Sequence, residues 1–311
     1  MDKLFRYLWA RPMLLLWLPP AFWAGNLVLG RAMSTSYPPV SLAVGRWAVA
    51  FVALAPFVAA RAWRERDLLK ADWAVIVACG VFGIAGYNAV AYVGLRTAPA
   101  ASAAFLNSTL PLMVPVASWL LNREPLRARA LAGIALSFVG VVWIVSRGDL
   151  GALAALRIEG GELLILIAVA NYALYSVILR RRSPAIDPLV FLAATMGVGL
   201  AVLAPFWALE LWSGAHIPFD SASVAAVAYI GLFASLFAFI LWGRCVAELG
   251  STVTGISFHL VAVFTAILAF TLLHEPVRLF HLIGIGLILA GFFLSTAGAP
   301  TMRAATPART S

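Results

Sequence analysis

Arg46 and His259 are the two side chains in this sequence that could do chemistry where little else can. Each interrupts a long run that is otherwise uncharged: Arg46 breaks 38–60 and His259 breaks 249–273. A guanidinium placed there is a permanent cation with five N–H donors, suited to holding an anion such as a carboxylate. The alternative role is structural: an ion pair, or a side chain that snorkels to the outer interface from about 12 Å inside its run. A histidine can bind cargo or carry a proton, because its ordinary pKa is about 6.5. Its alternative is a neutral ring bonded to a neighbouring helix.

Uncharged polar groups form a second tier. Asn26, Asn88, Asn171 and Tyr175 fall in the middle of apolar runs, and a buried amide or phenol needs a partner, either another helix or a ligand. Trp23, Tyr87, Tyr92, Tyr172 and Trp242 belong to the same runs, and aromatic rings near run ends commonly mark the membrane interface. Asn107-Ser108-Thr109 is followed by Pro111 and Pro115. Each proline lacks an N–H, so the carbonyls of Asn107 and Pro111 lose their helical partners and a bend is expected. Freed carbonyls at mid-membrane are tolerated only inside protein or beside water, which makes Asn107 and Ser108 candidates for the substrate pathway.

The elements that must position these residues follow from the composition. Of 311 residues 63% are hydrophobic and 11% charged, with mean hydropathy +0.97. A soluble domain of this length could not bury that much apolar surface, so an ordinary soluble enzyme is excluded. The two cysteines, Cys79 and Cys245, imply no disulfide framework. The uncharged runs are 12–30, 38–60, 73–95, 97–122, 130–146, 163–179, 188–209, 221–243, 249–273 and 282–302, with the two exceptions above. At about 20 residues per crossing they predict an all-α membrane protein with ten spans. The first run is long and lacks a small-residue cleavage site, so it reads as a span and not a cleaved signal peptide.

The net charge of +9 is topological. With ten spans both termini share a side. Sixteen of the 22 basic residues fall on that side and five on the other, with Arg46 inside a span. The positive-inside rule then puts both termini in the cytoplasm, and no nucleic-acid partner is implied.

The two halves resemble each other. Glu124-Pro125 and Glu275-Pro276 end the fourth and ninth runs at an offset of 151 residues, and Gly133 and Gly140 match Gly284 and Gly291 at the same offset. Pro39 and Pro188 match at 149, as do Trp23-Ala24 and Tyr172-Ala173. His259 matches Ser108, so the two would face each other across a pseudo-twofold axis. The expected organisation is a first repeat at 1–148 (spans 1–5), a second at 149–298 (spans 6–10) and a disordered tail at 299–311. Five spans is an odd number, so the repeats are inverted, a construction used by secondary transporters with cargo bound near the midplane. Each Glu-Pro pair stops a helix, with gating through a charged partner as the alternative. The matched glycines permit close helix contact, either within the bundle or at the seam of a homodimer.

Ten spans, two halves, paired Glu-Pro ends, Trp23 with Asn26, Arg46, and the run Tyr92-Val93-Gly94-Leu95-Arg96-Thr97-Ala98-Pro99-Ala100 together resemble the EamA-type members of the drug/metabolite transporter superfamily. The resemblance covers about 12–298. It implies a bacterial inner-membrane exporter of small metabolites such as amino acids, often driven by proton or substrate gradients. The residues give alternating access a natural basis, since two similar halves can exchange conformations. Asn107, Ser108 and His259 would line the cavity, and Arg46 and Asn26 would contact polar cargo or gate it.

Other chemistries find little support. The chain has no G-x-x-x-x-G-K-[ST] loop for direct ATP drive and no Gly-x-Ser-x-Gly elbow. His274-Glu275 starts a zinc-protease motif but has Arg278 where the second histidine belongs and Pro276 where a helix must continue. No cofactor and no metal are expected; the partners are a small-molecule substrate and the lipid bilayer. The alternative reading is an intramembrane enzyme acting on a lipid or isoprenoid, which would need acids or a nucleophile–base pair at one depth.

Overall fold

The computed structural model describes residues 12–123, 128–149, 160–245, 248, 260–274 and 277–296, and the regular structure among them is helical. In chain order the helices are α1 (Pro12–Ala32), α2 (Pro39–Arg64), α3 (Trp73–Gly94), α4 (Ala100–Asn107), α5 (Leu110–Asn122), α6 (Ala128–Val145), α7 (Gly160–Leu179), α8 (Pro188–Trp212), α9 (Ser221–Cys245), α10 (Leu260–Leu273) and α11 (Leu279–Thr296). A short helix, Arg66–Ala71, joins α2 to α3. Six of them (α1, α2, α3, α7, α8 and α9) are long and apolar enough to cross a bilayer. Shorter apolar helices lie within α5, α6, α10 and α11.

Local chemistry sets the boundaries. Pro39 and Pro188 open α2 and α8 at their first positions, where the missing N–H costs nothing. Asp187 and Asp220 cap α8 and α9 with their carboxylates. Arg123 and His274 take the left-handed conformation, both at φ 56°, just past α5 and α10. The Glu124-Pro125 and Glu275-Pro276 pairs that follow them lie outside the described residues, as do His259 and the tail at 299–311.

Large apolar side chains face outward, among them Phe57 (83% exposed), Phe270 and Phe293. Trp63, Trp73 and Trp212 are exposed close to helix ends. This is the surface of a protein solvated by lipid, with aromatic rings at the interfaces.

Three antiparallel pairs organise the bundle. The α2–α8 pair is tied at both ends: Arg61 bonds Asp187 at one, and Glu210 takes the N–H groups of Val40 and Ser41 at the other. In the α3–α7 pair Gly94 approaches Gly161 while Gly83 meets Tyr175. In the α6–α11 pair a Cβ on Gly140 would stand 2.7 Å from the Gly284 carbonyl, and one on Gly284 would stand 2.2 Å from the Ile144 side chain. Gly140 and Gly284 therefore serve close packing within one chain.

Candidate functional site

The site is built around the guanidinium of Arg46, in the first third of α2 and 3% exposed. Its Nε donates to Ser235 Oγ at 2.8 Å. Its Nη1 donates to Asn88 Oδ1 at 2.6 Å, to Tyr92 Oη at 3.0 Å and to Asn26 Oδ1 at 3.3 Å. Its Nη2 makes only a 3.4 Å contact with the Ala234 carbonyl. Tyr92 in turn donates to Asn26 Oδ1 at 2.5 Å. Every acceptor around this cation is neutral. The arginine neither snorkels nor forms an ion pair among the described residues; amides, hydroxyls and rings from α1, α3 and α9 hold it.

Two irregular segments supply that cage. Gly80–Gly86 in α3 and Ile230–Phe237 in α9 are π-helical. In them the Tyr87 N–H reaches back to the Phe82 carbonyl, and the Ala238 N–H to the Phe233 carbonyl. The segments begin 150 residues apart, close to the repeat offset. Both feed the Arg46 network. Asn88 Nδ2 donates to the carbonyls of Gly83 and Ile84, which aims its Oδ1 at Arg46. Ser235 Oγ donates to the Ile230 carbonyl, leaving its lone pair for Arg46 Nε. Trp23 Nε1 bonds the Ala234 carbonyl at 3.1 Å. Such π-turns are rare and occur frequently at functional sites.

Arg46 lines a cavity of about 40 Å³ together with Trp23, Asn26, Trp47, Tyr87, Asn88, Asn107, Tyr172 and Phe239, among others. By this measure a water occupies about 10–15 Å³, so the space takes a few waters and the helices must part to admit a metabolite. Rings form much of the wall: Tyr87 packs on Tyr172 at 5.0 Å and Trp47 on Phe239 at 5.9 Å between centroids. The buried Trp47 Nε1–H has no acceptor among the described residues.

The sequence candidates divide at this cavity. Asn26, Arg46, Asn88 and Asn107 line it. Asn107 accepts from Tyr87 Oη at 2.9 Å and donates to the Ala103 carbonyl. Its neighbour Ser108 is buried just past the end of α4, and its hydroxyl bonds back to the Ala104 carbonyl at 3.3 Å. The fourth run is interrupted at Ser108-Thr109, where Pro111 and Pro115 predict a bend. Asn171 lies near Gly86 in α7, and Tyr175 packs on Gly83 and Tyr172; neither lines the cavity. Tyr172, with Trp23 and Tyr87, lines it in place of an interfacial position. Ser235 and the two π segments carry no signal in the sequence. Serine is common in these helices, and a π-turn leaves no compositional mark.

The EamA-like transporter family matches the chain twice, at residues 10–146 and 159–297. The chain belongs to the EamA-like transporter family. As an EamA-family protein it is a multi-pass membrane transporter. The matched stretches begin 149 residues apart, and Arg46 and Ser235 fall one in each. The chain is similar to an uncharacterized transporter of Archaeoglobus fulgidus, 31% identical over 91% of this chain and 96% of that protein. It is similar to the uncharacterized transporter YyaM of Bacillus subtilis, 25% identical over 82% and 83%. A probable terminal-alkyne amino-acid exporter of Streptantibioticus cattleyicolor is 26% identical over 94% of each chain. A solved crystal structure shares the fold with a TM-score of 0.60 at 21% identity, covering 92% of this chain and 97% of that one. Relatives named as transporters point to a non-enzymatic role for this EamA-family chain.

Proposed function

We propose that this EamA-family protein is a secondary transporter that exports small amphiphilic metabolites, a class that includes amino acids, by alternating access. It sits in a bacterial inner membrane as ten spans in two inverted sets of five, with both termini in the cytoplasm. The observation that carries this reading is the cavity around Arg46, buried and walled by helices from both matched stretches. It combines permanent charge, amides and aromatic rings, which suits cargo with a polar head and an apolar body. Asn107, Ser108 and His259 line the pathway, Arg46 and Asn26 hold the polar head, and Asn88 positions Arg46. Asn171 and Tyr175 support the ring wall, and Glu124-Pro125 with Glu275-Pro276 set the helix ends that move. The antiparallel course of α2 and α8, which open with matched prolines, supports inversion.

Reconstitution in liposomes tests the reading. Radiolabelled amino acids, organic acids and related metabolites are screened for counterflow. Saturable exchange of at least one cargo is expected, reduced in His259→Ala at unchanged expression. A folded protein that moves none of them defeats the proposal, and normal flux in His259→Ala removes that residue from it.

A further inference from the structure

We propose that the cargo binds as a net anion: its carboxylate lies on Arg46 and Trp47, its apolar body lies against the rings, and the site disfavours the zwitterion of the same skeleton. The inference deepens the transporter reading and rests on it. Three observations carry it.

The first is a surplus of donors. Among the five N–H groups of Arg46, those on Nε and Nη1 are engaged by Ser235, Asn88, Tyr92 and Asn26, while Nη2 makes one long contact. Next to it in sequence, Trp47 Nε1–H is buried without an acceptor among the described residues. Both groups can only donate, and both side chains line the cavity. A buried donor without an acceptor is destabilising, so the wall calls for an acceptor.

The second is a shortage of acceptors. The amide oxygens that line the cavity are already committed: Asn26 and Asn88 to Arg46, and Asn107 to Tyr87. No Asp or Glu lines it among the described residues. The segment 249–259, which precedes Val261 in the wall, contains no acid by sequence. Glu162 and Glu210 sit in the terminal turns of their helices. The ammonium of a zwitterion would therefore be desolvated beside a buried guanidinium without a carboxylate to meet it.

The third is the shape of the remainder. Leu27, Leu110, Tyr172, Phe239 and Val261 complete the wall. They offer an apolar and aromatic surface in the same cavity as the cation.

Three probes with one skeleton test the proposal on the full-length protein: 3-phenylpropanoate, L-phenylalanine and 3-phenylpropanamide. Binding is read by thermal shift in detergent and transport by counterflow in liposomes. The carboxylate is expected to bind about tenfold or more tighter than either of the others, the worth of one charge-assisted hydrogen bond. Arg46→Gln removes that preference. Trp47→Phe lowers carboxylate affinity several-fold and amide affinity by less, because a hydrogen bond to the charged acceptor is the stronger. Equal binding of the amide or the amino acid overturns the proposal, as does unchanged carboxylate affinity in Arg46→Gln. Should that variant fail to fold, the wild-type ranking and Trp47→Phe still decide. Saturable phenylalanine flux without phenylpropanoate flux defeats the anion proposal and leaves the transporter reading standing. Absence of flux for every probe and for the wider screen counts against both.

Discussion

At equal register in the two halves, α2 carries Arg46 and α8 carries Thr195. Both are buried, yet one faces a cavity and the other serves its own helix: the Thr195 hydroxyl donates to the Leu192 carbonyl at 2.8 Å. The scaffold repeats and the charge does not. The cage around Arg46 draws on both halves: Asn88 comes from the π segment of α3 and Ser235 from that of α9. The two family-matched stretches each supply one π segment, and the two close on one charge.

The ends of the same two helices differ in another way. Arg61 and Glu210 stand 149 residues apart and carry opposite charges. Each binds the N-terminal end of the other helix. Asp187 caps α8 with one carboxylate oxygen and meets Arg61 with the other at 2.5 Å. The cap position of α2 is Pro38, which has no side-chain acceptor, so Glu210 of α8 takes the N–H groups of Val40 and Ser41 and the Ser41 hydroxyl. One helix carries its own cap and the other borrows one. Both ties are closed in this structure, in keeping with a cavity of about 40 Å³.

Making the centres alike should have the largest effect. Arg46→Thr leaves Asn26, Asn88, Tyr92 and Ser235 without their shared donor, each buried. A loss of about 2–4 kcal/mol in stability is expected, with flux reduced about a hundredfold or more. Thermal unfolding in detergent and counterflow measure the two parts separately. A variant that keeps full flux would end the claim that the halves differ at this position for a functional reason. Next comes the borrowed cap. Glu210→Ala strips a carboxylate from two backbone N–H groups and a hydroxyl and should cost about 1–3 kcal/mol in unfolding stability.

Much of this contrast is legible in the sequence, for a physical reason. Arg46, Asn26, Asn88 and Asn107 stand out because polar groups are rare and costly in apolar runs, so each one signals. Pro39 and Pro188 mark helix starts because proline tolerates few other places. Trp23, Tyr87 and Tyr172 are ambiguous because an amphipathic ring suits an interface and a cavity equally well. Ser235 is hidden because a serine can satisfy itself within its helix. The borrowed cap could have been found from opposite charges at the repeat offset, Arg61 against Glu210, but the partner backbone has no residue type to read. His259 and both Glu-Pro pairs lie outside the described residues, so their roles rest on sequence position alone.

Smaller effects sharpen the comparison further. Gly284→Ala puts a methyl group into the Ile144 side chain across the α6–α11 pair, and overpacking should cost about 1–3 kcal/mol unless the helices separate. Arg61→Ala opens the tie at the other end of α2. Its pair with Asp187 is partly exposed, with 45% of the arginine side chain accessible, and Asp187 keeps its cap without it. The expected cost is therefore about 0.2–1 kcal/mol, below that of Glu210→Ala. If the two ties proved equal, the distinction between an owned and a borrowed cap would fail.

The smallest change should come from Thr195→Val, the mirror of the first experiment. Thr195 is as buried as Arg46, so burial alone would predict a large effect. Its hydroxyl, however, serves only the Leu192 carbonyl, which also lies in the i–4 position to the Met196 N–H within α8. Valine keeps the shape and leaves no partner stranded, so stability should move by about 1 kcal/mol or less. Flux and cargo ranking should match those of the wild type. A severe transport defect in a folded Thr195→Val protein would mean that the second half contributes chemistry at this register after all. The single-charge account of the cavity would then have to give way to a paired one.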